Sequence, residues 1–320
     1  MALTSIEICA GAGGQALGLE QAGFEHVSLV ELDAAACQTL RINRSHWHVT
    51  EGDLRHYSAK KWKGVELLAG GVPCPPFSRA GKQLGSEDER NLFPEAIRLV
   101  SECRPHAVML ENVRGLLDSV FDGYRAKIIS DLKKLGYIAE WRLLNASDFG
   151  VPQLRPRVVF VALKKGIAEY FHWPPAQASP APTVGEALFD LMAANGWPGA
   201  RQWRERACDI APTLVGGSKK HGGPDLGPTR AKKAWASIGV DGMGIADVAP
   251  EKDFIGMPRL TIRMTARIQG FPDDWQFSGK KTAAYRQVGN AFPPPVAHAV
   301  GMQIQAALNA AAKLKLKRAY

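Results

Sequence analysis

Over residues 1–163 short apolar runs alternate with helix-like stretches, and that alternation admits few folds. Residues 5–9, 27–32, 65–69 and 107–110 read as strands. Residues 91–102 read as an amphipathic helix, and Asp33 stands where it can cap a helix running to about Asn43. Such βαβ alternation means a mostly parallel sheet with helices on both faces. Residues 137–144 and 157–163 form two further strands, too close in sequence for a helical crossover, so one of them is expected to run antiparallel. In sheets of this kind reacting groups gather beyond the carboxyl ends of the strands.

Three strand ends carry candidate ligand groups. Gly11-Ala12-Gly13-Gly14-Gln15-Ala16 follows the first strand and opens a helix, which fits the dinucleotide fingerprint G-x-G-x-x-A. Its glycines allow a tight turn and close approach of a ligand. Glu31 ends the second strand, where an acidic side chain can accept from ribose hydroxyls, and Asp53 follows Gly52 beyond another strand end. This pattern permits a nicotinamide or flavin cofactor as well as S-adenosylmethionine.

The fourth strand end is Gly70-Gly71-Val72-Pro73-Cys74-Pro75-Pro76-Phe77-Ser78. Glycines let the backbone turn, and prolines stiffen it on both sides of the thiol. A lone cysteine is more often a small buried hydrophobe than a nucleophile. Cys74 gains weight from its company. Glu111-Asn112-Val113 follows the strand at 107–110, so a carboxyl group shares its sheet edge. Gln153-Leu154-Arg155-Pro156-Arg157 precedes the last strand, and alternation puts Gln153, Arg155 and Arg157 on one face. Two arginines there suit an anion or a carbonyl-rich ligand, and surface ion pairs would look the same. The five cysteines are widely spaced and show neither a disulfide framework nor a metal-type pairing, which points to a reducing compartment. The N-terminus lacks a basic signal-peptide region, and no apolar run is long enough to span a membrane.

Beyond Leu163 the composition shifts. Residues 164–258 are rich in Pro, Gly, Trp and basic residues, with weak periodicity. They read as a loop-rich module. The net charge of +9 makes a polyanionic partner plausible.

Taken in order, these motifs resemble the C5-cytosine DNA methyltransferases. The resemblance continues through Arg263-Met264-Thr265-Ala266-Arg267-Ile268-Gln269-Gly270-Phe271-Pro272 and Gln287-Val288-Gly289-Asn290-Ala291-Phe292-Pro293-Pro294. The family usually has Asp where Glu7 stands, an aromatic at Cys9 and Gln at Pro75. The resemblance implies a class I S-adenosylmethionine-dependent methyltransferase fold, Rossmann-like, mostly parallel with an antiparallel strand, plus a smaller target-recognition domain. It divides the chain into a catalytic and cofactor-binding part at 1–164, a recognition part at 165–282, and a segment at 283–320 that returns to the catalytic part.

The roles it implies are specific. Cys74 adds to cytosine C6, Glu111 holds N3 and the exocyclic amine, and Arg155 holds O2, with Arg157 and Asn112 beside them. Cys9, Ala10, Gly11, Ala12, Gly13, Gly14, Glu31, Leu32, Asp53, Leu54, Gly71, Pro73, Leu92, Asn290 and Phe292 surround S-adenosylmethionine. Ser78, Lys82, Gln83, Arg90, Gln153, Thr213, Lys219, Lys220 and Arg230 face double-stranded DNA, from which the target base is flipped. The expected protein is a cytoplasmic monomer without a metal, paired in function with a restriction endonuclease of the same sequence. The alternatives are a tRNA cytosine methyltransferase on the same scaffold and a non-catalytic DNA-binding relative.

Overall fold

The computed structural model describes residues 3–73, 91–217 and 223–318. Seven strands form one sheet: β1 (Leu3–Ile8), β2 (Phe24–Glu31), β3 (Val49–Glu51), β4 (Leu67–Gly70), β5 (Ala107–Val113), β6 (Tyr137–Asn145) and β7 (Pro156–Lys164). Their order is β3-β2-β1-β4-β5-β7-β6. The first five are parallel, and β7 runs antiparallel to both β5 and β6. The antiparallel strand expected from the short 137–163 interval is therefore β7. The strand order reverses between β1 and β4, and the crevice beyond their carboxyl ends is where such sheets bind ligands.

The helices are α1 (Gly14–Gln21), α2 (Ala34–Asn43), α3 (Phe93–Cys103), α4 (Asp122–Lys134), α5 (Val184–Met192), α6 (Ala200–Arg206), α7 (Thr229–Ser237), α8 (Ile262–Ile268), α9 (Lys281–Asn290) and α10 (Pro294–Arg318). The sheet is apolar on both faces. Leu68, Val108 and Phe160 pack toward α3 and α4, while Leu67, Met109 and Val161 pack toward α1 and α10. This is the two-residue alternation of strands covered on both sides. Asp33 caps α2 as its position suggests, accepting from the backbone N–H of Ala35 and Ala36.

Beyond Leu163 the chain carries helices of its own. α5 starts on a capping box in which Thr183 and Glu186 bond each other's backbone reciprocally. One apolar cluster joins these helices to the sheet's cover: Leu17, Leu40 and Trp47 are continuous with Trp203, Trp235, Met264 and Tyr285. None of the described helices is long and apolar enough to cross a membrane.

Candidate active site

The carboxyl ends of β1, β2, β4 and β5 converge on a cavity of about 380 Å³. After β1 the chain winds tightly, with positive φ at Cys9, Gly11 and Gly13. Gly14 then permits a close crossing, since a Cβ there would lie 2.2 Å from the Phe292 carbonyl oxygen. That crossing brings the end of α9 and the start of α10 over the glycine loop. Glu31 fastens the same loop from β2. One carboxylate oxygen accepts from Gly11 N at 2.7 Å, and the other accepts from Leu32 N and Asp33 N at 2.8 and 2.7 Å.

The structure brings Cys9, Ala10, Gly11, Ala12, Gly14, Glu31, Leu32, Asp53, Leu54, Gly71, Pro73, Leu92, Asn290 and Phe292 to this cavity, together with Glu111. Gly13 is the exception among the expected cofactor residues. Its missing side chain makes room for Leu40 and Trp275 instead, 2.7 and 3.1 Å from where a Cβ would stand. The sequence reading missed Ala283, Arg286 and Gln287 as lining residues. With Asn290 they share one face of α9, and their spacing of three and four residues could have shown it.

The cavity floor holds unsatisfied polar atoms. Glu7 is fully buried on β1, and neither carboxylate oxygen has a partner. Burial pushes its carboxyl well above the usual range. The amide oxygen of Gln15 is also unpartnered, while its nitrogen donates to the Met109 carbonyl at 3.4 Å. Burial, then the carboxylates of Glu31, Glu7 and Asp53, keep the Cys9 thiol protonated.

Glu111 lies near the end of β5, opposite Val159 of β7. Its Oε1 accepts from Arg157 Nε at 2.8 Å. Burial raises its carboxyl, and the guanidinium groups of Arg157 and Arg155 oppose that shift without cancelling it. Asn112 donates through Nδ2 to the Val72 carbonyl at 2.7 Å, holding the backbone two residues before Cys74. Leu92 N donates to the Pro73 carbonyl at 3.3 Å, closing the chain on itself there. Cys74, Ser78, Lys82, Gln83, Arg90, Lys219 and Lys220 lie outside the described residues.

Two expectations need correction. Arg155 does not present its guanidinium to a base, because its Nη1 and Nη2 are spent on Leu214, Gly289 and Ala291 carbonyls and on Gln153 Oε1. Gln153 does not face DNA. It is fully buried, with its amide donating to Ile268 O and Gln269 Oε1 and accepting from Leu214 N. Alternation along an ideal strand misled here, since β7 begins only at Pro156. The Thr213 hydroxyl donates to the Leu154 carbonyl, and Arg230 is exposed on α7.

Comparison with known proteins shows the family. The family model described as C-5 cytosine-specific DNA methylase matches residues 3–306. The chain is 60% identical over 311 residues to the type II methyltransferase M.NgoMIV of Neisseria gonorrhoeae, covering 96% of this chain and 99% of that relative. It is 60% identical over 314 residues to the type II methyltransferase M.NaeI of Lentzea aerocolonigenes, covering 96% of this chain and 76% of that one. Among solved structures it shares its fold with a prophage-encoded Escherichia coli chain described as a DNA modification methyltransferase. That match has a TM-score of 0.68 at 24% identity and covers 96% of this chain and 100% of the other.

Proposed function

The chain belongs to the C-5 cytosine-specific DNA methylase family, a sequence-specific DNA cytosine-C5 methyltransferase of the restriction-modification type, and from that premise we propose how its residues divide the work. The observation that carries the proposal is Glu111, a buried carboxyl group held by Arg157 at the wall of a cavity that also takes in the glycine loop.

The residues present fit S-adenosylmethionine. Glu7 and Gln15 offer three unpartnered oxygens inside the cavity, a match for an ammonium group whose charge favours ionised Glu7. Glu31 and Asp53 suit ribose hydroxyls and an adenine amine. S-adenosylmethionine bound there supplies an electrophilic methyl group.

The chain's own groups prepare the base. A duplex cytosine cannot reach an interior cavity, so the base is flipped out. The Cys74 thiolate adds to C6, forming the S–C6 bond and making C5 nucleophilic. Glu111, its carboxyl raised above the usual range by burial, gives a proton to N3, which takes up the charge of the adduct. Arg157 holds Glu111 in place, and with Arg155 spent elsewhere it is the arginine we assign to O2. C5 then takes the methyl group. Its proton leaves to a base as the S–C6 bond breaks and Cys74 departs as thiolate, and N3 returns its proton to Glu111, which restores the ring. Residues 165–282 read the DNA sequence, with Arg230 on the exposed face of α7. The type II naming of both relatives supports a companion restriction endonuclease acting on the same sequence. Nothing favours an RNA substrate over DNA.

The test is bisulfite sequencing of plasmid DNA from expressing cells, followed by a duplex carrying 5-fluorocytosine at the target found. The protein should form an SDS-resistant adduct with that duplex only when S-adenosylmethionine is added, and Cys74→Ala should abolish it. An adduct that persists in Cys74→Ala overturns the assignment of the nucleophile.

A further inference from the structure

We infer that Arg155 is a positioning residue that locks the recognition segment onto the Asn290 corner of the cofactor cavity, so that cofactor and DNA each strengthen the binding of the other. The inference rests on the functional reading above. Arg155 is fully buried, and among the described residues no carboxylate forms an ion pair with it. A buried guanidinium without a bonded counter-ion is expensive to desolvate. What the guanidinium provides is a fork. Nη1 donates to the Leu214 carbonyl at 2.8 Å, and Nη2 donates to the carbonyls of Gly289 and Ala291 at 2.7 and 3.0 Å. One planar group thereby ties the approach to β7 to two segments far along the chain.

The fastening continues on both sides. Leu214 is held by its N–H as well, which donates to Gln153 Oε1 at 2.9 Å. Two residues further, Gly216 lies flat against α9. A Cβ at that position would stand 2.6 Å from both the Arg286 carbonyl and Asn290 Oδ1. Asn290 Nδ2 donates to the Gly217 carbonyl at 3.1 Å. Arg286, Asn290 and Ala291 are walls of the cofactor cavity. The backbone leading toward residue 218 and the cofactor wall are therefore a single hydrogen-bonded body, with Arg155 at its centre. A ligand that fixes Asn290 also fixes Gly216 and Gly217, and linkage makes the effect reciprocal.

The test measures that reciprocity. S-adenosylhomocysteine is titrated into the full chain by calorimetry, alone and with the duplex identified by bisulfite sequencing. In the wild type, DNA should tighten the interaction by roughly tenfold, and S-adenosylhomocysteine should tighten DNA binding by the same factor. Arg155→Lys keeps the charge but loses the fork. Arg155→Met loses both. Gly216→Ala forces the segment off α9 from the other side. Each variant that still melts cooperatively should bind both ligands with a coupling below about twofold. Coupling retained in any such variant overturns the inference, as does its absence in the wild type. Should neither arginine variant fold, Gly216→Ala decides alone. A wild type that methylates no DNA, or does not bind S-adenosylhomocysteine, would instead bring down the functional reading and this inference with it.

Discussion

Two polar regions meet at Asn290 and are built in opposite ways. In the cavity, Glu7 and Gln15 point unpartnered atoms into open space, and Glu111 carries a carboxyl group that burial raises above its usual range. In the junction behind it, Gln153, Arg155 and Gln269 spend their polar groups on one another and on backbone carbonyls, with only Arg155 Nε left over. Unmet hydrogen-bonding capacity inside a protein costs stability, and it is tolerated where a ligand will meet it. A closed network instead fixes the backbone around it. Cavity substitutions should thus damage chemistry and spare the fold, while junction substitutions should do the reverse.

The sharpest way to break this contrast is Glu111→Gln. Glutamine still offers Arg157 an acceptor but has no proton to give. The rate of methyl transfer in a single turnover should fall by about 10²- to 10⁴-fold, with little change in urea midpoint. A matching loss of stability would erase the distinction. Gln269→Ala probes the other side. It removes one of two partners from the Ala291 carbonyl, which keeps Arg155 Nη2, and from Gln153 Nε2, which keeps the Ile268 carbonyl, so stability should drop by about 1 to 3 kcal/mol, the net worth of two buried hydrogen bonds. Urea melts would show it, and a neutral result would mean the junction is dispensable.

The smallest expected effect is a pH slope from Glu7. Its folded pKa lies above its unfolded one, so the folded state holds more protons in the window between them. Stability from this group is complete below the unfolded value and is lost as pH rises through the folded value, at no more than about 1.4 kcal/mol per pH unit. Glu7→Gln should flatten that decline in ligand-free protein. A variant with the wild-type slope would show that Glu7 is ionised there, and the contrast would lose its clearest cavity residue.

The sheet was legible because its signals are local. Most strands are apolar runs, β3 (Val49–Glu51) and β6 (Tyr137–Asn145) being the largely exposed exceptions, and the glycine loop, Glu31 and Asp53 sit at strand ends where only a few residues decide the geometry. Most of the cavity wall followed from these. The junction was not legible in the same way. Arg155 meets Leu214 across 59 positions, Gly289 across 134 and Ala291 across 136, and no period in the sequence connects them. Gln153 and Arg155 look like two of the three residues of a ligand face, with Arg157, and only the packing of distant segments turns them inward. The helix α5 is an intermediate case. Its Thr183–Glu186 box is a local signal, hidden within a stretch whose proline and glycine content suggests loops.

The crossing of Phe292 over Gly14 also sets a timetable for synthesis. The glycine loop leaves a ribosome well before the residues that close its pocket. At common translation rates the gap is about 15 to 55 s. During that interval the sheet can form, but no complete pocket exists to accept a methyl donor. The pocket is therefore completed in one step, after residues 165–282, to which DNA reading is assigned above, have been made.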